Sequence, residues 1–132
     1  MSWNTILARA GAIFYVLWGL LHYYAAYGVY RLAESIPSNM EQGRLEQLAF
    51  YLASFATAGI VLAMLNWRNS RLGFWSNAIV ISVGDIPFIL FVLVPGYLPV
   101  WPGIEGPVLW IVALTCTAIA RRPNSGIARS AR

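Results

Sequence analysis

The sequence predicts an all-α polytopic membrane protein, with four transmembrane helices in an antiparallel bundle and both termini cytoplasmic. Of the 132 residues, 59% are hydrophobic and only 11% are charged, which is more apolar than a soluble domain of this size. The few charges separate four apolar stretches, because a charged side chain at the bilayer centre is costly. A single cysteine excludes an internal disulfide framework.

Each predicted span is close to the length of about 20 residues that a helix needs to cross a bilayer. The spans are residues 10–30, 47–67, 73–94 and 107–121. Arg9 and Arg31 border the first span, and Pro107 opens the fourth, since proline is well suited to a first helical position. Together they predict one transmembrane domain over residues 1–122.

The segment between the third and fourth spans is unusual. Residues 95–107 contain four prolines and three glycines, which exclude a helix, and the apolar and aromatic residues between them favour the headgroup boundary. We therefore expect residues 95–106 to form an interfacial loop over the outer end of the bundle, with a stiff connector as the alternative. The polar, basic tail at residues 123–132 is expected to be disordered.

The basic residues predict the orientation. All nine are arginines. With the N-terminus inside, seven lie on the cytoplasmic side and only Arg31 and Arg44 lie outside, which agrees with the positive-inside rule. The net charge of +4 is thus a topology signal, so we expect the lipid bilayer as a partner and no nucleic acid. The expected location is the cell inner membrane, in several passes.

Depth arithmetic places a polar layer in the outer half of the membrane. At about 1.5 Å per helical residue, His22 lies about 12 Å and Asp85 about 13.5 Å below the outer ends of their spans. Cys116 lies at the same depth on this scale, and Ser54, Thr57, Thr115 and Thr117 lie within a few ångströms of it. Lipid offers no partners to ionisable groups, so His22 and Asp85 are expected to face the bundle interior. Equal depth does not establish that they face each other, and a structural hydrogen bond is the alternative.

These residues predict an intramembrane pocket for a lipophilic small molecule such as a quinone, terpenoid, sterol or aromatic compound. The predicted catalytic residues are Asp85 and His22, one as acid and the other as base. The predicted ligand-binding residues are Tyr15, Trp18, Tyr51, Ser54, Asn77, Phe88, Trp110 and Thr115. Pro87 is expected to kink the third helix beside Asp85.

If chemistry occurs there, proton-transfer isomerisation, cyclisation or hydration is the natural type. A proton-coupled small-molecule transporter, or a membrane anchor or assembly subunit without chemistry, is the alternative. One histidine and one cysteine cannot complete a four-ligand zinc site, so no metal is predicted, and neither is a cofactor. Homo-oligomer formation is left open.

A few residues also carry a family resemblance. They are Gly11, Gly19 and His22 near the start, and Gly84, Asp85, Pro87, Pro95 and Gly96 later. With the length and hydropathy pattern, they resemble the small bacterial DoxX-like membrane proteins, including the BphX type. The resemblance implies a four-helix membrane fold and quinone-linked redox partners, and it assigns no catalytic residue. Small multidrug transporters are a poorer match, because their membrane acid lies on the first helix, where this chain has His22.

Overall fold

The computed structural model describes residues 2–122, which are all-α with no strand among them. The helices are α1 (Trp3–Glu34), α2 (Met40–Trp67), α3 (Arg71–Phe88), α4 (Val100–Gly103) and α5 (Glu105–Ala120). A π-helical turn, Ile89–Leu93, continues α3 directly after Pro87 and Phe88. The expected tail at residues 123–132 lies outside the described residues.

Three of these helices are long and apolar enough to cross a membrane: Trp3–Glu34, Met40–Trp67 and Arg71–Leu93. Their length and composition are those of a membrane protein. α5 is apolar as well, but with 16 residues it is shorter than the roughly 20 that a full crossing needs. The fourth crossing and the orientation of the termini therefore stay predictions.

The first two helices run past the spans predicted for them. α1 begins at Trp3, because the Ser2 side chain accepts a hydrogen bond from the Thr5 backbone N–H and caps the helix. α2 begins at Met40, where the Asn39 side chain accepts from two backbone N–H groups of the first turn. Capping side chains thus set these helix starts, and the charges only mark where the apolar stretches begin.

The expectation of no helix in residues 95–106 needs correction. Val100–Gly103 forms the short turn α4, within which the Trp101 backbone is extended (φ −107°, ψ 126°), and α5 begins at Glu105, two residues before Pro107. Proline in a first turn is compatible with a helix, because its missing N–H would have had no helical partner there. Gly96 has a φ of +78°, a left-handed conformation that glycine adopts readily and that turns the chain after the π-helical segment.

Helices α1, α2, α3 and α5 pack against one another around one core. α1 packs mainly against α2 and α5, and α3 packs against the same two helices, so α1 and α3 lie diagonally across the core. Small residues bring the helices close together. A Cβ on Gly19 would lie 3.0 Å from the Ala56 carbonyl oxygen of α2, and one on Gly11 would lie 2.9 Å from the Ala113 carbonyl oxygen of α5.

The two ends of the molecule differ, and we call them the proximal end and the distal end. The proximal end holds the start of α1, the α2–α3 turn and the end of α5. Asn4 Nδ2 donates to the Arg122 carbonyl at 3.4 Å, and Asn69 Nδ2 donates to the Ala120 carbonyl at 3.1 Å. The distal end holds the α1–α2 turn and residues 94–104.

Candidate functional site

Asp85 lies in the centre of the core and is fully buried. Asn77, Ile81 and Asp85 follow one another at intervals of four residues and so share one face of α3. All three are fully buried. Trp18 Nε1 of α1 donates a hydrogen bond to Asp85 Oδ2 at 2.9 Å. Because α1 and α3 lie on opposite sides of the core, this hydrogen bond crosses the interior and joins the two helices.

His22 lies one helical turn after Trp18 on α1 and contacts both Trp18 and Asp85. Its ring stacks on Trp18, with ring centroids 3.7 Å apart and an interplanar angle of 25°. Its Nε2 lies 3.6 Å from Asp85 Oδ1, and its side chain is only 14% exposed. The sequence left open whether His22 and Asp85 face each other, and the structure places them face to face.

The local geometry assigns the hydrogen on the imidazole. His22 Nδ1 lies 2.9 Å from the Trp18 carbonyl oxygen, which can only accept, so Nδ1 donates and carries a hydrogen. In the neutral ring Nε2 is then an acceptor, and it faces a carboxylate oxygen that is also an acceptor. The arrangement is favourable when one proton resides on Nε2 or on Asp85. His22 Nε2 and Asp85 Oδ1 are thus two polar atoms that face each other 3.6 Å apart with no hydrogen bond between them.

The first turn of α5 closes over this pair. A Cβ on Gly106 would lie 3.1 Å from His22 Cε1 and 3.9 Å from Asp85 Oδ1, so only a glycine allows this approach without displacing the imidazole. Sequence reasoning missed Gly106. The Gly106–Pro107 step at the start of the fourth span was the available signal, since a glycine there permits close backbone packing.

The position of Gly106 also corrects the depth assigned to α5. Its start lies level with His22 and Asp85, whereas the depth arithmetic placed Cys116 and Thr115 at that level. A Cβ on Gly11 would instead lie 3.3 Å from Cys116 Cβ, so Cys116 belongs to the proximal half. The arithmetic was wrong because it assumed that every helix starts at the same membrane surface.

Besides the hydroxyl of Tyr15 on α1, three buried polar groups at or near the core have no hydrogen-bond partner within residues 2–122. They are Asp85 Oδ1, the side-chain amide of Asn77 and Trp110 Nε1. Buried polar groups in proteins nearly always bond to protein, to ordered water or to a ligand. These three groups, contributed by α3 and α5, are thus the interior positions at which a small polar group could bind.

The other predicted ligand-binding residues divide into two sets. Tyr15 is fully buried in the core beside Trp18, and Phe88 is half-buried one turn beyond Asp85. Tyr51, Ser54 and Thr115, by contrast, are exposed and do not line the interior.

Local bonds account for these exposed positions. Tyr51 accepts a hydrogen bond from Gln47 Nε2 at 2.6 Å, and the Ser54 hydroxyl donates to the Phe50 carbonyl at 2.8 Å, so both interact within α2. On α5 the buried threonine is Thr117, two residues after Thr115, and its hydroxyl donates to the Ala113 carbonyl at 2.9 Å.

No cluster of three or more histidine, cysteine, aspartate or glutamate side chains that could hold a metal ion occurs in the described part of the chain. What the site offers is one acid, one imidazole and an indole donor in an apolar interior. Comparisons with family models, with curated proteins and with solved structures found no match for this chain.

Proposed function

We propose that this protein is a multi-pass protein of the cell inner membrane that binds a lipophilic small molecule inside its helix bundle. In this proposal α1, α2, the α3 segment and α5 form four antiparallel spans, and the arginine distribution puts both termini in the cytoplasm. The polar end of the bound molecule lies against His22 and Asp85. The resemblance to DoxX-like proteins is part of the same hypothesis.

One observation carries the proposal: a fully buried carboxylate has one oxygen bonded to an indole and the other turned towards an imidazole. If the group were only structural, both oxygens would be expected to have partners, because an unpaired buried polar atom costs about 1 to 3 kcal/mol. Asp85 Oδ1 instead lies 3.6 Å from His22 Nε2, beyond hydrogen-bond distance. A ligand hydroxyl there would accept from the protonated member of the pair and donate to the other, and the carbonyl of a quinone, terpenoid, sterol or aromatic ligand would accept from the protonated member.

The same geometry supports proton transfer to or from that ligand. Asp85 or His22 Nε2 gives the proton to the ligand, and the other member of the pair accepts a proton released elsewhere on it. Trp18 Nε1 keeps its bond to Asp85 Oδ2 in both states and so fixes the carboxyl plane. Isomerisation, cyclisation and hydration each need such an acid and base, and they are the reaction types we propose to test.

The test is native mass spectrometry of protein purified gently from its own host. We expect the wild type to retain a discrete apolar molecule that Asp85→Asn and His22→Ala both lose. In Asp85→Asn the amide oxygen can still accept from Trp18, so folding should persist. Thr115→Val, on the exposed surface of α5, is the control and should retain the molecule. Bulk phospholipid in equal amounts in all four proteins would overturn the proposal.

A proton-coupled transporter is the second candidate, because a pair that holds one proton inside a membrane suits it equally. It predicts uptake into proteoliposomes that follows an imposed proton gradient and collapses in Asp85→Asn. An assembly subunit would instead leave partner copurification intact in both Asp85→Asn and His22→Ala.

A further inference from the structure

A groove separate from the His22–Asp85 pair lies between α1 and α2 near the distal end. It has a volume of about 450 Å³, within the range of about 300 to 1,000 Å³ that is usual for small-molecule sites. The lining residues come from one stripe on each helix: Tyr23, Ala26, Tyr27, Tyr30, Glu46, Ala49, Phe50 and Ala53. None of them contributes to the core around Asp85.

The groove has an alanine floor and aromatic walls. Ala26 and Ala49 are 6% and 7% exposed and bring the two helix backbones together, while the tyrosine rings stand out from them. Tyr23 forms a fixed wall, because its hydroxyl lies 2.5 Å from Thr57 Oγ1. The Thr57 hydroxyl itself donates to the Ala53 carbonyl, so Tyr23 is the donor in this pair.

The charge at the mouth of the groove is negative. Glu34 and Glu46 both lie close enough to Tyr30 to act on its hydroxyl electrostatically. Arg31 neutralises Glu34 through an ion pair at 3.0 Å. No ion pair to Glu46 occurs within residues 2–122, and the nearby Arg44 donates to Gln47 instead. One carboxylate without an ion pair among the described residues thus lines the groove together with the three tyrosines.

We propose that this groove binds a single-chain amphiphile with a quaternary ammonium headgroup. Tyrosine faces attract ammonium groups through their ring quadrupole, and Glu46 adds a full opposite charge. The alkyl chain would lie along the alanine floor and the Phe50 ring. From Tyr23 to Tyr30 the groove is about 10 Å long, shorter than one leaflet of a hydrocarbon core about 30 Å thick, which favours a short single chain over a two-chain lipid.

The test is calorimetric titration of the full-length protein, in neutral maltoside micelles, with hexyltrimethylammonium. The matched probe is its neutral analogue, in which carbon replaces the ammonium nitrogen. We expect the wild type to bind the cation about tenfold more tightly than the analogue, which is about 1.4 kcal/mol. Equal affinities for the two probes would overturn the proposal.

Two pairs of variants locate the binding. Glu46→Gln should abolish the preference for the cation, whereas Glu41→Gln, on the same helix but outside the groove, should keep it. Tyr27→Leu should weaken cation binding about three- to fivefold, as expected for one lost cation–π contact, and the adjacent Tyr24→Leu should not. Unchanged binding in Glu46→Gln would contradict the assignment.

Two further measurements distinguish this groove from a lipid site and from the intramembrane site. Phosphatidylcholine nanodiscs that fully displace the probe would assign the groove to a membrane lipid and overturn the single-chain proposal. Asp85→Asn should leave cation affinity unchanged, because Asp85 does not line the groove. Loss of cation binding in Glu46→Gln therefore tests the groove, and loss of ligand retention in Asp85→Asn tests the intramembrane site.

Discussion

The proximal end of the molecule is held together by glycine contacts and hydrogen bonds between helices, whereas the glycines Gly28 and Gly43 at the distal end lie on exposed faces. At the proximal end, a Cβ on Gly73 would lie 2.6 Å from Leu65 Cβ and 2.8 Å from the Asn66 backbone nitrogen. Asn69 also bonds from the α2–α3 turn to the end of α5. At the distal end, a Cβ on Gly28 would meet no heavy atom within 4 Å outside its own helical surroundings.

This difference shows how one short chain combines stability with a site. At the proximal end a buried glycine, Gly73, brings α3 against α2, whereas at the distal end Gly28 and Gly43 lie on exposed faces and the buried Ala26 and Ala49 bring α1 and α2 together. The distal half holds the His22–Asp85 pair and the tyrosine groove, both of which are lined by aromatic side chains. The candidate sites lie where small residues, Gly106 at the pair and Ala26 and Ala49 in the groove, meet large aromatic side chains.

The largest effect is expected from adding one methyl group at each end. Gly73→Ala should destabilise the fold by about 3 kcal/mol, because its Cβ meets backbone atoms of α2 that cannot move aside. Gly28→Ala should raise stability by about 0.5 to 1 kcal/mol through helix propensity alone. Thermal unfolding in one detergent measures both changes. Equal effects would mean that the two ends are packed alike.

A smaller effect is expected from two tryptophans of the core. Trp18→Phe should cost about 1.5 to 3 kcal/mol, because a buried carboxylate loses its indole donor. Trp110→Phe removes a similar volume, but its Nε1 has no hydrogen-bond partner among the described residues, so the loss should be clearly smaller. Chemical unfolding followed by circular dichroism compares the two. A larger loss for Trp110→Phe would place the main polar contact elsewhere.

The smallest effect on stability is expected at Asn77. Asn66→Leu should cost about 1 kcal/mol, since Asn66 Nδ2 donates to the Gly73 carbonyl at 3.2 Å. Asn77→Leu should be neutral or stabilising, because its amide has no protein partner in the described chain. Under the proposed function it should also reduce ligand retention in native mass spectrometry. A loss of stability as large as in Asn66→Leu would indicate a structural role for Asn77.

Much of this could be predicted from local sequence. The low charge content predicts apolar helices. The rise per residue predicted one depth for His22 and Asp85, because each depth follows from the number of residues to the outer end of the same helix. The same arithmetic was wrong for Thr115 and Cys116, because α5 starts level with Asp85 and not at the distal end. The number of helices and their lengths do not reveal this axial shift of α5. The shift depends on where residues 95–104 place the start of the helix.

The sequence by itself determined the helical class, the apolar spans and the residues that could carry acid–base chemistry, because hydropathy and helix geometry are local properties. Only the tertiary structure decided which faces meet. It placed the Trp18 indole on Asp85, buried Thr117 in place of Thr115, and set Gly106 against His22. Those outcomes depend on the rotation and axial shift of each helix, which contacts between helices determine and no single helix encodes.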